Sequence, residues 1–140
     1  MCGRLNVSDN RYVQALMKDL GMPILPDFTP RWNIAPGTSI NIVTRKQTTS
    51  VLWGINFNGF SHPNSRASTI RKRSDLQGWL VRYKCLVPVN GFYEWPNTKL
   101  HPQWRGRDTR FHISTPQGAM FLAAFAKPTE TGWQANIITT

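Results

Sequence analysis

The chain has 140 residues, with 17 Lys and Arg against seven Asp and Glu and a formal charge of +10. Its 40% hydrophobic and 17% charged content suits one folded domain over residues 1–140, because domains typically run to about 100–200 residues. No apolar run approaches the roughly 18 residues of a membrane span, and the start Met1-Cys2-Gly3-Arg4 has no signal-peptide features, so a soluble cytoplasmic protein without a membrane partner is expected. The excess of cations points to a polyanion as partner, nucleic acid first.

In chain order, Ser8 and Asp9 are rival N-caps for an amphipathic helix carrying Tyr12, Val13, Leu16, Met17 and Leu20, stopped by Gly21. Four prolines (Pro23, Pro26, Pro30, Pro36) argue against regular structure over Pro23–Pro36. Ile40–Thr44 and Val51–Ile55 read as short strands, and Phe57–Ser65 as a loop of Gly, Asn and Pro. Ala67–Lys72 predicts a helical turn and Asp75–Tyr83 a short helix. Cys85–Val89, Gly91–Trp95, Arg110–Ser114, Ala119–Ala126 and Gln134–Thr139 then read as strands split by turns. Together these give an α+β class dominated by antiparallel strands.

Only two cysteines occur, Cys2 and Cys85, without CxxC spacing, and His62, His101 and His112 are scattered. No metal, cofactor or disulfide framework is therefore indicated. Removal of Met1 would leave Cys2 as the first residue, with an α-amine of reference pKa about 7.7–8.0 beside a thiol near about 8.5. An aldehyde is the natural target of that pair. The amine gives an imine, and the thiol closes on its carbon to form a thiazolidine, a ring that an internal cysteine cannot make. The plainer alternative is a small buried residue at the start of a strand. Glu94, one of two glutamates, lies between rings in Gly91-Phe92-Tyr93-Glu94-Trp95-Pro96. Desolvation there would raise its pKa toward the range of a general acid or base, unless strand alternation turns it outward. Arg66, Arg71, Lys72, Arg73, Arg82 and Lys84, followed by Arg105, Arg107 and Arg110 near Trp104, suit unpaired nucleic acid, where cations neutralise phosphates and rings stack on bases. A solvated basic face is the alternative for any one of them.

Five segments carry a resemblance in order: Met1-Cys2-Gly3-Arg4, Arg31-Trp32-Asn33-Ile34-Ala35-Pro36-Gly37, Trp53-Gly54, Asn64-Ser65-Arg66-Ala67, and Cys85-Leu86-Val87-Pro88-Val89-Asn90-Gly91-Phe92-Tyr93-Glu94-Trp95. Together they resemble the SRAP family, the SOS-response-associated peptidase-like or abasic-site processing proteins. The resemblance implies a barrel-like, mainly antiparallel sheet with a few flanking helices. It also implies covalent capture of abasic sites in single-stranded DNA through mature Cys2, at the nucleoid when DNA is damaged. By the same resemblance Asn64 hydrogen-bonds near the thiazolidine and Glu94 assists proton transfer. Arg4, Asn33, Arg66 and Trp95 match positions along the DNA path.

Two departures stand out. After Trp53-Gly54 the family commonly has a Pro and a Trp-containing wedge that interrupts base stacking, whereas this chain reads Ile55-Asn56-Phe57-Asn58-Gly59-Phe60, leaving Phe57 or Phe60 to stack instead. The family's His-x-Arg-Met-Pro segment, beyond the strand ending at Thr140, is absent, and none of the three histidines matches it. A C-terminally short domain is therefore expected, either a fragment or a short homologue that completes its site in another way; if the histidine is not replaced, slow crosslinking is expected, and an incomplete barrel would promote self-association. Two further readings compete with the crosslinker. One is a non-covalent single-stranded DNA-binding module. The other is a thiol autopeptidase acting after Met1, which requires a Cys-His pair.

Overall fold

The computed structural model describes residues 2–25, 29–106 and 109–140. Met1, Pro26 and Arg107, which figure in the sequence-based expectations, lie outside the described residues. Strand β1 (Arg4–Val7) leads into α1 (Asn10–Asp19). Asp9, not Ser8, caps this helix: its carboxylate accepts from the Arg11 amide at 3.0 Å. Val13 and Met17 supply the buried stripe, and Gly21 at φ 64 leaves the helix in the left-handed region. Tyr12 and Leu20, expected on the same stripe, are exposed.

The proline-rich segment does contain a strand, contrary to expectation. β2 (Arg31–Ile34) occupies a stretch between Pro30 and Pro36 and pairs with β1 through Leu5↔Ile34 and Val7↔Arg31. Its prolines flank it, and its edge position leaves one row of backbone groups that needs no partner strand. β3 (Ser39–Val43) and β4 (Thr48–Trp53) follow as an antiparallel pair. The strand expected over Val51–Ile55 is broken at Gly54, whose φ of 128 is closed to most side chains.

The expected loop after Phe57 is instead a hairpin. β5 (Ile55–Phe57) and β6 (Phe60–His62) join through Asn58 (φ 50) and Gly59 (φ 81), the two-residue Asn-Gly turn whose twist matches that of its strands. β7 (Asn64–Arg66) follows at once, then α2 (Ala67–Ile70) and α3 (Ser74–Tyr83), both close to the expected spans. β8 (Lys84–Val89), β9 (Gly91–Glu94), a short 3-10 turn at Pro102–Trp104, β10 (Phe111–Ser114), β11 (Met120–Thr129) and β12 (Gly132–Thr139) complete the order.

The architecture is α+β. One sheet runs β10-β9-β1-β2 and is antiparallel throughout. The other runs β11-β8-β3-β4-β12-β7, and because β12 also pairs with β11, five of its strands close into a barrel. β12 is parallel to both β4 and β7, while the remaining pairings of this sheet are antiparallel. Trp53, Ile40, Ile42, Val87, Val89 and Ile137 are among the residues that fill the central core, which Leu5 joins from the first sheet and Cys2 from the residues before it. Outside it, α1 packs Val13 and Met17 over Val43, and α2 and α3 pack Ile70 and Leu76 over Phe125. No helix among the described residues is long and apolar enough to cross a membrane.

Candidate functional site around Cys2

Cys2 precedes β1 and is drawn into the central core, leaving 4% of its surface exposed. Two neighbours fix its backbone. Asn64, the first residue of β7, donates from Nδ2 to the Cys2 carbonyl at 2.6 Å. The Gly3 amide donates to the Tyr93 carbonyl on β9 at 3.4 Å, in register with Arg4↔Tyr93. Asn64 is itself held through β12, where Ile137 lies opposite it, and the Ile137 amide and the Trp53 indole both donate to the preceding Pro63 carbonyl. Asn64 Oδ1 is buried and has no hydrogen-bond partner among the described residues.

Burial pushes the Cys2 thiol up to about 12, and the nearby Glu94 carboxylate adds to the rise. The Cys2 thiol therefore lies well above the reference value near about 8.5 used for the sequence-based expectation. A free thiol in water titrates near about 8.5, but this one has exchanged water for an apolar core and a like charge. Glu94 itself is half-buried at the end of β9, opposite Phe111.

Trp95 follows Glu94 and lies against Gly3. A methyl group added at Gly3 would sit 2.8 Å from Cζ3 of the indole, so only glycine admits the ring there. With 43% of Trp95 exposed, its indole forms a partly solvent-facing wall next to Cys2. Gly3→Ala is expected to swing this ring away at a cost within about 0.5 kcal/mol, since the indole has solvent to move into. The Trp95 indole N–H resonance should shift while the other five stay in place; an unmoved Trp95 signal would contradict the packing.

Among the other candidates, Arg4 is half-buried and donates from Nη1 to the Gly3 carbonyl at 3.0 Å. Asn33 is exposed on β2, and Arg66 is exposed two residues along β7 from Asn64. The structure thus gathers Cys2, Asn64, Glu94, Trp95 and Arg4, and sets Asn33 and Arg66 on the strands around them. Phe57 is engaged elsewhere, with ring centroids 4.8 Å from Trp79 and Arg73 over its face, whereas Phe60 is 72% exposed at the hairpin turn. Of the two stacking candidates Phe60 is the more exposed.

A polar row beside this site has no counterpart among the sequence-based expectations. Asn6 Nδ2 lies 3.0 Å from Nε2 of His112, whose ring is 5.0 Å from that of Tyr93, and the absent side chain of Gly91 makes the room. The register Arg4↔Tyr93↔His112 assembles it across three strands, a juxtaposition with no local signal. Among the described residues no group of three His, Cys, Asp or Glu side chains could hold a metal ion.

A barrel whose core receives Cys2, with Asn64 and Glu94 beside it, is the setting for the comparison with known proteins. The family model for SOS response associated peptidase (SRAP) matches residues 1–140, and the chain belongs to this family. It is similar to the abasic site processing protein YoqW of Bacillus subtilis (strain 168), 26% identical over 117 residues that cover 71% of this chain and 52% of YoqW. It is similar also to the abasic site processing protein YoaM of that organism, 28% identical over 80 residues covering 49% of this chain and 35% of YoaM. The chain therefore spans about half the length, or less, of these curated relatives. Two crystal structures share the fold. One is a phage-related protein from Bordetella bronchiseptica (TM-score 0.72, 19% identity, 99% of this chain and 69% of that one). The other is a protein from Bacteroides thetaiotaomicron (TM-score 0.72, 17% identity, 98% and 67%).

Proposed function

We propose that the chain recognises abasic sites in single-stranded DNA and captures them covalently through Cys2 once Met1 is removed, acting in the cytoplasm at the damaged nucleoid. The observation that carries this is the fixing of the Cys2 carbonyl by Asn64 with the Glu94 charge close to the thiol. The family membership and the names of YoqW and YoaM support it.

The chemistry starts with the amine, because burial disfavours the thiolate. The α-amine attacks the aldehyde carbon of the open-chain deoxyribose and water leaves, giving an imine. The thiol sulfur then adds to the imine carbon, its proton passing through the Glu94 carboxylate to the imine nitrogen. The product is a thiazolidine with net loss of one water. Asn64 holds the Cys2 carbonyl so that amine and thiol meet the same carbon, and its unpaired Oδ1 offers an acceptor for a hydroxyl of the opened sugar. Arg4, Asn33 and Arg66 contact the strand, and Trp95 and Phe60 stack on unpaired bases.

Intact mass before and after incubation with an oligonucleotide carrying one abasic site tests this reading. A heat-stable adduct at the summed masses minus one water, abolished by Cys2→Ser, is the expected result. Salt-sensitive binding without an adduct, by a chain shown to begin at Cys2, would replace it with a non-covalent DNA-binding module, which the depth of the thiol favours. A thiol autopeptidase has less support, because the hydrogen-bond partner of His112 is Asn6 and Cys2 Sγ points at the Arg4 carbonyl, 3.9 Å away.

A further inference from the structure

A cavity of about 900 Å³ opens where the β3–β4 hairpin, the end of α3 and the starts of β8 and β12 converge, and Cys2, Asn64 and Glu94 take no part in it. Its walls are mainly apolar, with Ile42, Leu86, Ala123 and Ala126 prominent. The small side chains on β11 leave the room: Ala123 is exposed although it lies mid-strand. Arg45 and Lys46 from the hairpin, Arg82 from the last turn of α3 and Lys84 from the first position of β8 stand on the rim, all exposed. None of the described residues lining the cavity carries a carboxylate. Apolar walls of this extent, with few convergent polar groups, characterise ligand sites of about 300–1,000 Å³.

We propose that this cavity binds an acidic peptide, its apolar side chains seated against Leu86 and Ala123 on the paired strands β8 and β11 and its carboxylates meeting the four rim cations. The distribution of charge selects the ligand. Four cations carried by three different elements, with no carboxylate among the described residues that line the cavity, match carboxylates spaced along an extended chain. The two rings at the cavity argue against a nucleic-acid strand. Tyr83 and Trp133 stand edge to face, with centroids 5.4 Å apart and planes at 78°, so they offer no pair of parallel platforms for successive bases. Any alternate-residue apolar and acidic segment has the needed pattern, since successive side chains of an extended chain point to opposite sides.

A short fluorescein-labelled peptide that alternates aspartate with leucine and phenylalanine provides the probe, read by anisotropy with the full chain. Saturable binding is expected. The dissociation constant should rise by about tenfold or more in the double variant Arg82→Glu, Lys84→Glu, and likewise when asparagine replaces aspartate in the probe. Ala123→Trp, which fills the space from an exposed position and so tests the cavity without touching its charges, should cost a similar factor. No saturation at about 1 mM probe would overturn the proposal. So would unchanged affinity in Ala123→Trp, which would place the peptide elsewhere. Displacement of the probe by an undamaged single-stranded oligonucleotide would overturn it in favour of a nucleic-acid path over the same rim.

Discussion

Trp53→Ala is expected to destabilise the fold by about 3–5 kcal/mol, measured by urea unfolding, because a large fully buried aromatic is lost and the barrel cannot collapse around the space. The indole also acts as a tie: its N–H donates to the Pro63 carbonyl at 3.0 Å, directly before Asn64. Trp53→Phe separates the two roles. Phenylalanine keeps most of the apolar contact and removes the donor, yet the Pro63 carbonyl retains the Ile137 amide at 2.8 Å, so no buried acceptor is orphaned. The cost should then be about 1 kcal/mol, and on the proposed capture of abasic sites adduct formation should fall by a larger proportion, since the strand start that carries Asn64 is less firmly held. If Trp53→Phe proved as damaging to stability as Trp53→Ala, the hydrogen bond and not packing would dominate.

The second large effect is expected in alkali. Cys2 and Cys85 are both moved from 9.0 to about 12, by burial in each case, with Glu94 adding to the rise at Cys2. A thiol whose folded pKa lies above its unfolded value holds its proton more tightly when folded. The native state therefore binds more protons than the unfolded state between about pH 9 and 12, and stability falls as pH rises through that window. The full benefit is present below about pH 9, and the loss is up to about 4 kcal/mol per thiol by the upper end. Cys85 is the cleaner case because burial alone moves it. The melting temperature of Cys85→Ala should start lower than that of the wild type at neutral pH and decline less steeply from pH 9 upward, the difference cancelling the common titration of Tyr and Lys. Parallel profiles would show that Cys85 is not protected. By the same logic, both thiols should react slowly with iodoacetamide at pH 8 until the protein is unfolded.

What is legible in the sequence follows the range of the forces involved. Helix α1 is readable because its cap and apolar spacing act within a few residues: Asp9 needs only the Arg11 amide. The strands from β8 to β12 are readable as runs split by turns. Strand β2 is hidden because proline frequency says nothing about the proline-free stretch Arg31–Ile34, whose partner β1 lies beyond α1. The β5–β6 hairpin is hidden for a different reason, since its Asn58-Gly59 signal sits among Gly, Asn and Pro residues that suit an open loop equally well. The site divides in the same way. Cys2 and Glu94 stand out by position and chemistry, but the depth of the thiol comes from the closed barrel, and the polar row of Asn6, His112 and Tyr93 exists only through strand register.

The position of β12 bears on how the molecule comes to be made. It closes the barrel against β11, lies alongside β4 and carries β7, so the segment that presents Asn64 to Cys2 has no seat until Gly132–Thr139 is in place. During synthesis Cys2 leaves the ribosome long before that strand does. Its place in the core includes Ala135 and Ile137 of β12, so the cluster that encloses it is complete only when that strand has docked. Strand closure thus ties the seating of Asn64 against Cys2 to the closing of the barrel.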